Sequence, residues 1–421
     1  MENNKSNIVS LGCMLNIYES EVIKSLTNKH NINDYTIINS CAVTNEAEKK
    51  VGYEIRKAKR LYPSKKIVVT GCAAQINPEK YSQMPEVYLV LGNNEKMEEK
   101  VWKNIKYNNK IQVNDIFNIS STHNHIIEKF EDKARAYIEI QQGCNHRCTF
   151  CIIPFGRGNN RSVPAEIIIH RIKNLVKNNY KEVVLTGVDI TDYGKDLPGM
   201  PNLFQLSSRL LNLIPELKQI RLSSIDCAEI NEDFWHLLNN KRFMPHLHLS
   251  LQAGNNLILK RMKRRHTKQQ AIDFCKKVRN NRSDIVFGAD IIAGFPTETD
   301  EMFEDSIELV KKCNLTHLHV FPFSARSSTP AAKMPQVPKD VIKKRAKTLR
   351  NLGTTNMKKY LNKQIGSVTR VLIEQVKDNV SIGKSQHFTK VKIPQILNKG
   401  SIVDCSITSA HENFLQATLI S

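Results

Sequence analysis

Past residue 132 the chain repeats one unit six times. Short apolar or β-branched runs fall at residues 137–141, 183–187, 220–224, 247–251, 286–292 and 318–321, with successive starts 46, 37, 27, 39 and 32 residues apart. Each interval holds one helix and two loops. Strands that alternate with helices pair in parallel, because the crossover returns the chain to the same end of the sheet. Six such units predict an α/β architecture, a partial (β/α)6 barrel short of the eight units of a full one. Residues 1–115 repeat the alternation on a smaller scale. Apolar runs at 8–11, 35–38 and 67–70 flank helical stretches such as 45–61, where Glu46 and Glu48 come early and Lys57, Lys59 and Arg60 late. That order suits the helix dipole, and the segment is expected to be an N-terminal parallel α/β domain. Residues 116–132 read as a polar linker and residues 338–360 as a basic helix. Runs at 368–374, 390–393, 402–407 and 414–419 alternate and are β-branched, which predicts a small antiparallel β-barrel or sandwich. The expected domains are 1–115, 130–358 and 359–421.

The chain carries 62 basic and 41 acidic residues in 421, a formal charge of +21. A small-metabolite enzyme has no need of that excess, whereas a surface that meets phosphate backbones does. A genome biased toward Lys, Asn and Ile is the bland alternative. The excess is densest in residues 356–421, with 9 basic against 4 acidic side chains. Residues 1–13 lack the basic and apolar segments of a secretory leader, and no apolar run reaches the roughly 18 residues of a membrane span. A cytoplasmic location with no membrane attachment is therefore expected. Disulfides are rare there, so patterned cysteines are expected to bind metal or do chemistry.

Ten cysteines are present. Three fall within eight residues, in Gly143-Cys144-Asn145-His146-Arg147-Cys148-Thr149-Phe150-Cys151, just past the first barrel strand. A 4Fe–4S cube normally takes four thiolates. Three leave one iron open for a further ligand. The competing reading is structural zinc, which wants four ligands in paired spacing. Three more cysteines each follow an N-terminal strand, in Leu11-Gly12-Cys13, Asn39-Ser40-Cys41 and Thr70-Gly71-Cys72. Parallel strands end along one edge, where α/β ligands bind. The three should converge there as a second metal centre, the alternative being buried free thiols. Cys227, Cys275, Cys313 and Cys405 show no such placement and read as packing residues.

The C-x3-C-x2-C spacing, with an aromatic before its last cysteine, is the signature of the radical S-adenosylmethionine superfamily. Together with the second cysteine set it resembles the methylthiotransferase family over nearly the whole chain. The resemblance is carried by LGCMLNIYESE, NSCAVT, VTGCA, QQGCNHRCTFCIIPFGRG, LTGVDITDYG, HLHLSLQAG, DIIAGFPTET and HVFPFSARSSTPAA. Glu19-Ser20, LTGVDI and HLSLQAG are similar to the branch that modifies threonylcarbamoylated adenosine in tRNA. Other branches act on isopentenyladenosine in tRNA or on a ribosomal-protein aspartate, and a non-catalytic RNA-binding iron–sulfur protein is the alternative of a different class.

The resemblance implies two 4Fe–4S clusters, one held by Cys13, Cys41 and Cys72 and one by Cys144, Cys148 and Cys151. It implies that S-adenosylmethionine is used twice, once to methylate a sulfur and once as the source of a 5′-deoxyadenosyl radical. That radical takes the C2 hydrogen of adenosine 37, beside the anticodon, and C2 receives the methylthio group. An electron donor such as flavodoxin or ferredoxin is implied, with the sulfur source unspecified. The last domain resembles the RNA-binding TRAM barrel. Candidate cofactor contacts are Phe150, Gly187, Ser250, Gln252 and Gly294, all near strand ends or the array. The run Lys260, Arg261, Lys263, Arg264 and Arg265 is a candidate tRNA phosphate contact, and His246, His248, His317 and His319 read as satisfied barrel residues. Ser328 stands where many relatives have a glycine, which raises the expectation of a positive-φ turn there.

Overall fold

The computed structural model describes residues 6–105, 109–131 and 133–420. Residues 1–5 of the stretch read for a leader, and Asp132 of the linker, lie outside them. Five strands, β1 (Asn7–Ser10), β2 (Tyr35–Ser40), β3 (Lys66–Gly71), β4 (Val87–Leu91) and β5 (Ile111–Gln112), pair side by side in chain order, all parallel. The first three are the expected ones. Every residue of β2 is buried, as a central parallel strand requires. The helix Asn45–Leu61 starts on a cap: the Thr44 hydroxyl accepts from the Ala47 N–H at 3.1 Å.

The stretch 116–132 is not a free linker. Ile116, Ile127 and Phe130 are buried, and the Tyr180 hydroxyl accepts from the Phe130 N–H at 2.8 Å. Three apolar anchors among polar neighbours were enough to hold it against the core.

The barrel follows as β6 (Ala136–Glu139), a short antiparallel pair β7 (Gln141–Gln142) and β8 (Arg161–Ser162), then β9 (Glu182–Thr186), β10 (Gln219–Leu222), β11 (His246–Gln252), β12 (Val286–Ala293) and β13 (Leu315–Pro322). Its strands form two parallel sheets, β10-β9-β6 and β11-β12-β13, which meet at bridges such as Ile225 to Leu249. This is the six-unit open barrel expected. The helix Met14–Lys29 packs on β6, and one apolar core runs from Leu15, Tyr18 and Val22 into Ile138 and Val184. The N-terminal domain thus shares its core with the barrel.

The helix Lys339–Lys363 runs along β13 into a closed five-stranded barrel of β14 (Val368–Lys377), β15 (Val380–Ser385), β16 (Lys390–Ile393), β17 (Ile402–Ala410) and β18 (Leu415–Leu419). Closure decides between barrel and sandwich. β15 escaped the sequence reading. Its hairpin turns on Asp378 and Asn379, at φ +51 and +60, a two-residue turn with both residues left-handed but without the glycine that usually announces it. Among the described residues no helix is long and apolar enough to cross a membrane.

A tip of this small barrel plugs the N-terminal end of the large one. Phe388, at φ +64, lies 5.2 Å from the Arg135 guanidinium and 5.3 Å from that of Arg221, and its ring stacks on His246 at 5.4 Å. Both arginines pair with the buried Glu182, at 2.5 and 3.1 Å. His317 Nε2 lies 3.2 Å from the His387 carbonyl. Burial lowers the imidazole pKa of His317 to about 3 and of His387 to about 4. Both rings fold neutral, so the unfolded chain binds more protons in acid. Their stabilising effect is complete above the ordinary histidine pKa near 6.5 and is lost as pH falls toward about 4. Thermal melts across this range should show the loss, and replacing both histidines by glutamine should lessen it, the remainder coming from other buried histidines such as His246.

Candidate active site

Three adjacent strand ends carry the first cysteine set. Cys13 stands at the cap before the helix Met14–Lys29, Cys41 directly follows β2, and Cys72 opens the helix Cys72–Ile76 directly after β3. Parallel pairing of Ser10 with Asn39 and of Ser40 with Gly71 aligns the three ends. Two glycines allow the approach. Gly12 sits at φ +110, where a Cβ would lie 2.8 Å from Cys41 Cβ and 3.1 Å from its sulfur; Gly71 sits at φ +93, where a Cβ would lie 2.4 Å from the Ser40 carbonyl oxygen. Cys72 is buried, Cys41 half-buried, and Cys13 keeps an exposed face. Burial pushes the Cys41 thiol up to about 11, and the neighbouring Cys72 and Cys13 add to it. Protein packed around Cys13 raises its thiol too, despite the open face. Three thiols presented from adjacent strand ends suit a shared soft cation, so the donor set fits an iron–sulfur cluster.

Behind this edge lies a buried ionic network that the sequence reading missed. The Arg157 Nε–H donates to Cys72 Sγ at 3.0 Å; its Nη2 reaches Asn16 Oδ1 at 2.8 Å and Glu19 Oε2 at 3.1 Å, and its Nη1 pairs with Glu19 Oε1. Lys96 Nζ lies 2.6 Å from Glu19 Oε2 and 2.7 Å from Asn93 Oδ1. All three charged side chains are at most 2 % exposed. Burial opposes ionisation of Glu19, but the Arg157 and Lys96 cations prevail and hold its carboxyl at about 2. Burial also draws the Lys96 ammonium downward; the two cations together keep the carboxylate charged.

The second set lies on the loop between β7 and β8. Gly143, at φ +68, brings the loop to Asn159, where a Cβ would fall 1.8 Å from the carbonyl oxygen. The Cys144 N–H donates to the Gly158 carbonyl and the Cys151 N–H to that of Cys148, both at 3.0 Å. Thr149 fastens the loop to the barrel, its hydroxyl donating to the Arg261 carbonyl at 2.7 Å and its own carbonyl accepting from the Ala331 N–H at 2.9 Å. Cys144, Cys148 and Cys151 are all half-buried. Burial pushes the Cys151 thiol up to about 12 and raises Cys144, beside the Asp189 carboxylate at 3.6 Å. His146, the extra donor a zinc site would recruit, is held instead by Asp189 and Asp192, each at 3.1 Å. The three remaining sulfurs fit a cluster with one open iron.

One cleft opens beside residues that neighbour each set in the chain. It is lined by Val43 and Thr44 just past Cys41, by Phe150, by Gln252 at the end of β11, and by Asp290 and Phe321 from the next two strands. Gln252 holds φ +71 at a register shift of β11, backbone strain of a kind that clusters at functional sites. Phe150 also meets Phe295 edge-on at 6.5 Å, so it serves packing and cleft together. The Ser250 carbonyl accepts from Arg264 at 2.6 Å. At Gly187 a Cβ would lie 2.7 Å from the Gln141 carbonyl and side-chain oxygens, and at Gly294 one would lie 2.5 Å from Ile342. Both glycines are thus accounted for by protein neighbours.

The basic run divides. Arg264 reaches Cys148 Sγ at 3.8 Å and Asp226 at 2.7 Å, Arg265 pairs with Glu229, and Arg261 bonds to Thr297 at 2.6 Å; Lys260 and Lys263 are exposed. His248 Nε2 and His319 Nδ1 share Asp290 Oδ1 at 2.9 and 3.3 Å, His319 being largely exposed, while His246 Nε2 has no hydrogen-bond partner among the described residues. Ser328 does not adopt a positive φ, so the turn there needs no glycine. Cys275, Cys313 and Cys405 are buried as expected and Cys227 partly so.

An open (β/α)6 barrel with three thiols on its first loop, fused to a parallel domain that presents three more, defines an iron–sulfur radical enzyme. Residues 138–310 match the model described as the Radical SAM superfamily, and residues 5–92 match Uncharacterized protein family UPF0004. The chain is 46% identical to Threonylcarbamoyladenosine tRNA methylthiotransferase MtaB of Rickettsia prowazekii, over 100% of this chain and 99% of that protein. It is 35% identical to the protein of the same name from Bacillus subtilis, over 91% and 88% of the two chains. A tRNA-2-methylthio-N(6)-dimethylallyladenosine synthase of Ehrlichia canis is 31% identical over 97% and 98%. Among solved structures, the radical S-adenosylmethionine methyltransferase TsrM of Kitasatospora setae superposes with a TM-score of 0.53 at 12% identity, over 74% of this chain and 66% of that one, a likeness of fold. The chain belongs to the threonylcarbamoyladenosine tRNA methylthiotransferase family of radical S-adenosylmethionine enzymes.

Proposed function

We propose that the chain adds a methylthio group to C2 of N6-threonylcarbamoyladenosine at position 37 of tRNA. The observation that carries the reading is the pair of three-cysteine sets, linked by the Arg157 hydrogen bond to Cys72, beside a cleft lined by the chain neighbours Val43, Thr44 and Phe150. It is supported by full-length identity that is higher to relatives named for threonylcarbamoyladenosine than to those named for dimethylallyladenosine. In this reading Cys144, Cys148 and Cys151 hold one 4Fe–4S cluster, whose open iron takes S-adenosylmethionine, and Cys13, Cys41 and Cys72 hold the other. When bound, these groups supply a radical able to break an unactivated C–H bond and the sulfur that replaces the hydrogen.

The chain's own residues do the rest. Phe150 and Phe321 offer apolar faces to an adenine, and Gln252 and Asp290 offer hydrogen-bonding groups. Thr149 and Arg264 fix the position of the loop that carries the radical thiols. Residues 1–115 serve as sulfur donor, 130–358 as radical source and 359–421 as the RNA grip, where the excess of positive charge suits phosphate. The reading places the enzyme in the cytoplasm with its tRNA and with a small electron-transfer protein, flavodoxin or ferredoxin, as donor.

Mass spectrometry of tRNA nucleosides from cells lacking the gene tests the proposal. The methylthio form of threonylcarbamoyladenosine should disappear while the unmodified nucleoside accumulates. Intact tRNA beside an altered ribosomal protein would sink it.

A further inference from the structure

We infer that Arg157 is a positioning residue for the second cysteine centre, donating a hydrogen bond to its Cys72 sulfur and setting a cation beside it. The inference rests on the two-cluster reading above. Arg157 is the last residue of the helix Ile153–Arg157, which leaves the radical array directly after Cys151 and Ile152. The preceding Gly156 lets this helix lie on Cys72: a Cβ there would be 3.2 Å from Cys72 Cβ. One short segment thus joins the two cysteine sets, and Arg157 is the side chain on it that touches the far one. Its guanidinium is fixed on every side, by Cys72, Glu19, Asn16 and Gln142.

The charge count gives the second argument. Glu19 is one carboxylate facing two buried cations, Arg157 and Lys96. The Arg157 guanidinium is thus a buried cation set directly against the Cys72 sulfur. A hydrogen bond and a cation at a ligating sulfur both stabilise the more negative, reduced state of a cluster, and so raise its reduction potential. Such a partner also keeps the sulfur lone pair from a competing proton.

Arg157→Gln removes the charge, and Arg157→Lys keeps it while removing the Nε donor. Each is reconstituted anaerobically in the full chain beside the wild type. Iron is counted, and both centres are titrated by potentiometry followed by electron paramagnetic resonance. We expect the second centre's midpoint to move to more negative potential in Arg157→Gln and less so in Arg157→Lys, with the radical centre unmoved. The number of methylthio groups formed per 5′-deoxyadenosine should fall in the same order. Variants that carry full iron and an unshifted second centre would overturn the inference alone, as would equal shifts at both centres. If Arg157→Gln loses the second centre's iron, the Arg157→Lys midpoint decides. A wild-type chain with about four irons instead of about eight would overturn the two-cluster reading and the inference together.

Discussion

Cys148→Ala should abolish 5′-deoxyadenosine formation from S-adenosylmethionine and reduce reconstituted iron from about eight per chain to about four. Cys148 lies between two other thiols of a loop that is pinned at Gly143, Thr149 and Cys151. The fold should therefore survive the loss of one sulfur. Two thiols cannot hold a cube that already lacks a fourth protein ligand, so the effect should be a loss of the radical step and not a fractional slowing. Iron should remain at the N-terminal edge, because Cys13, Cys41 and Cys72 are set by different strands. Continued cleavage of S-adenosylmethionine by this variant would contradict the assignment of the array.

The second large effect concerns stability. Glu19→Ala should destabilise the folded chain by about 3–5 kcal/mol, the usual range when one partner of a buried ion pair is removed. Arg157 and Lys96 would both remain, buried and facing each other, with Asn16, Asn39 and Asn93 as their neutral contacts. Urea denaturation of apo protein measures the loss without involving the clusters. Adding Lys96→Met to Glu19→Ala should restore part of it, since the double variant buries one cation fewer. Strict additivity of the two changes would show that they do not share a network.

The cysteine sites were legible in the sequence for different reasons. The Cys144-Cys148-Cys151 array is local, so its spacing is its geometry. The other set lies far apart in sequence, yet each member follows a strand, and parallel pairing turns equal positions on strands into neighbours in space. Arg157, Glu19 and Lys96 had neither property. Glu19 is 138 residues from Arg157 and 77 from Lys96, and nothing in the run around any of them, the apolar Ile152-Ile153-Pro154-Phe155 before Arg157 included, shows that they meet. Packing of the N-terminal domain on the barrel buries them, which no local pattern encodes. The small barrel was readable from alternation except at β15, where Asp378 and Asn379 perform a glycine's task. Gly187 and Gly294 were noticed because glycines at strand ends are conspicuous, but what occupies the space beside them, Gln141 and Ile342, depends on tertiary neighbours.

The plug at Phe388 makes the large barrel a cup and not a tube. Its walls are strands from the middle of the chain, but its base is a loop of the domain that follows them. The end that carries the cysteine array is the opposite one, at the strand C-termini. A reactive species formed at the rim then meets whatever nucleic acid covers it. The C-terminal barrel is therefore part of the large barrel's own floor, at the opposite end from the cysteine array.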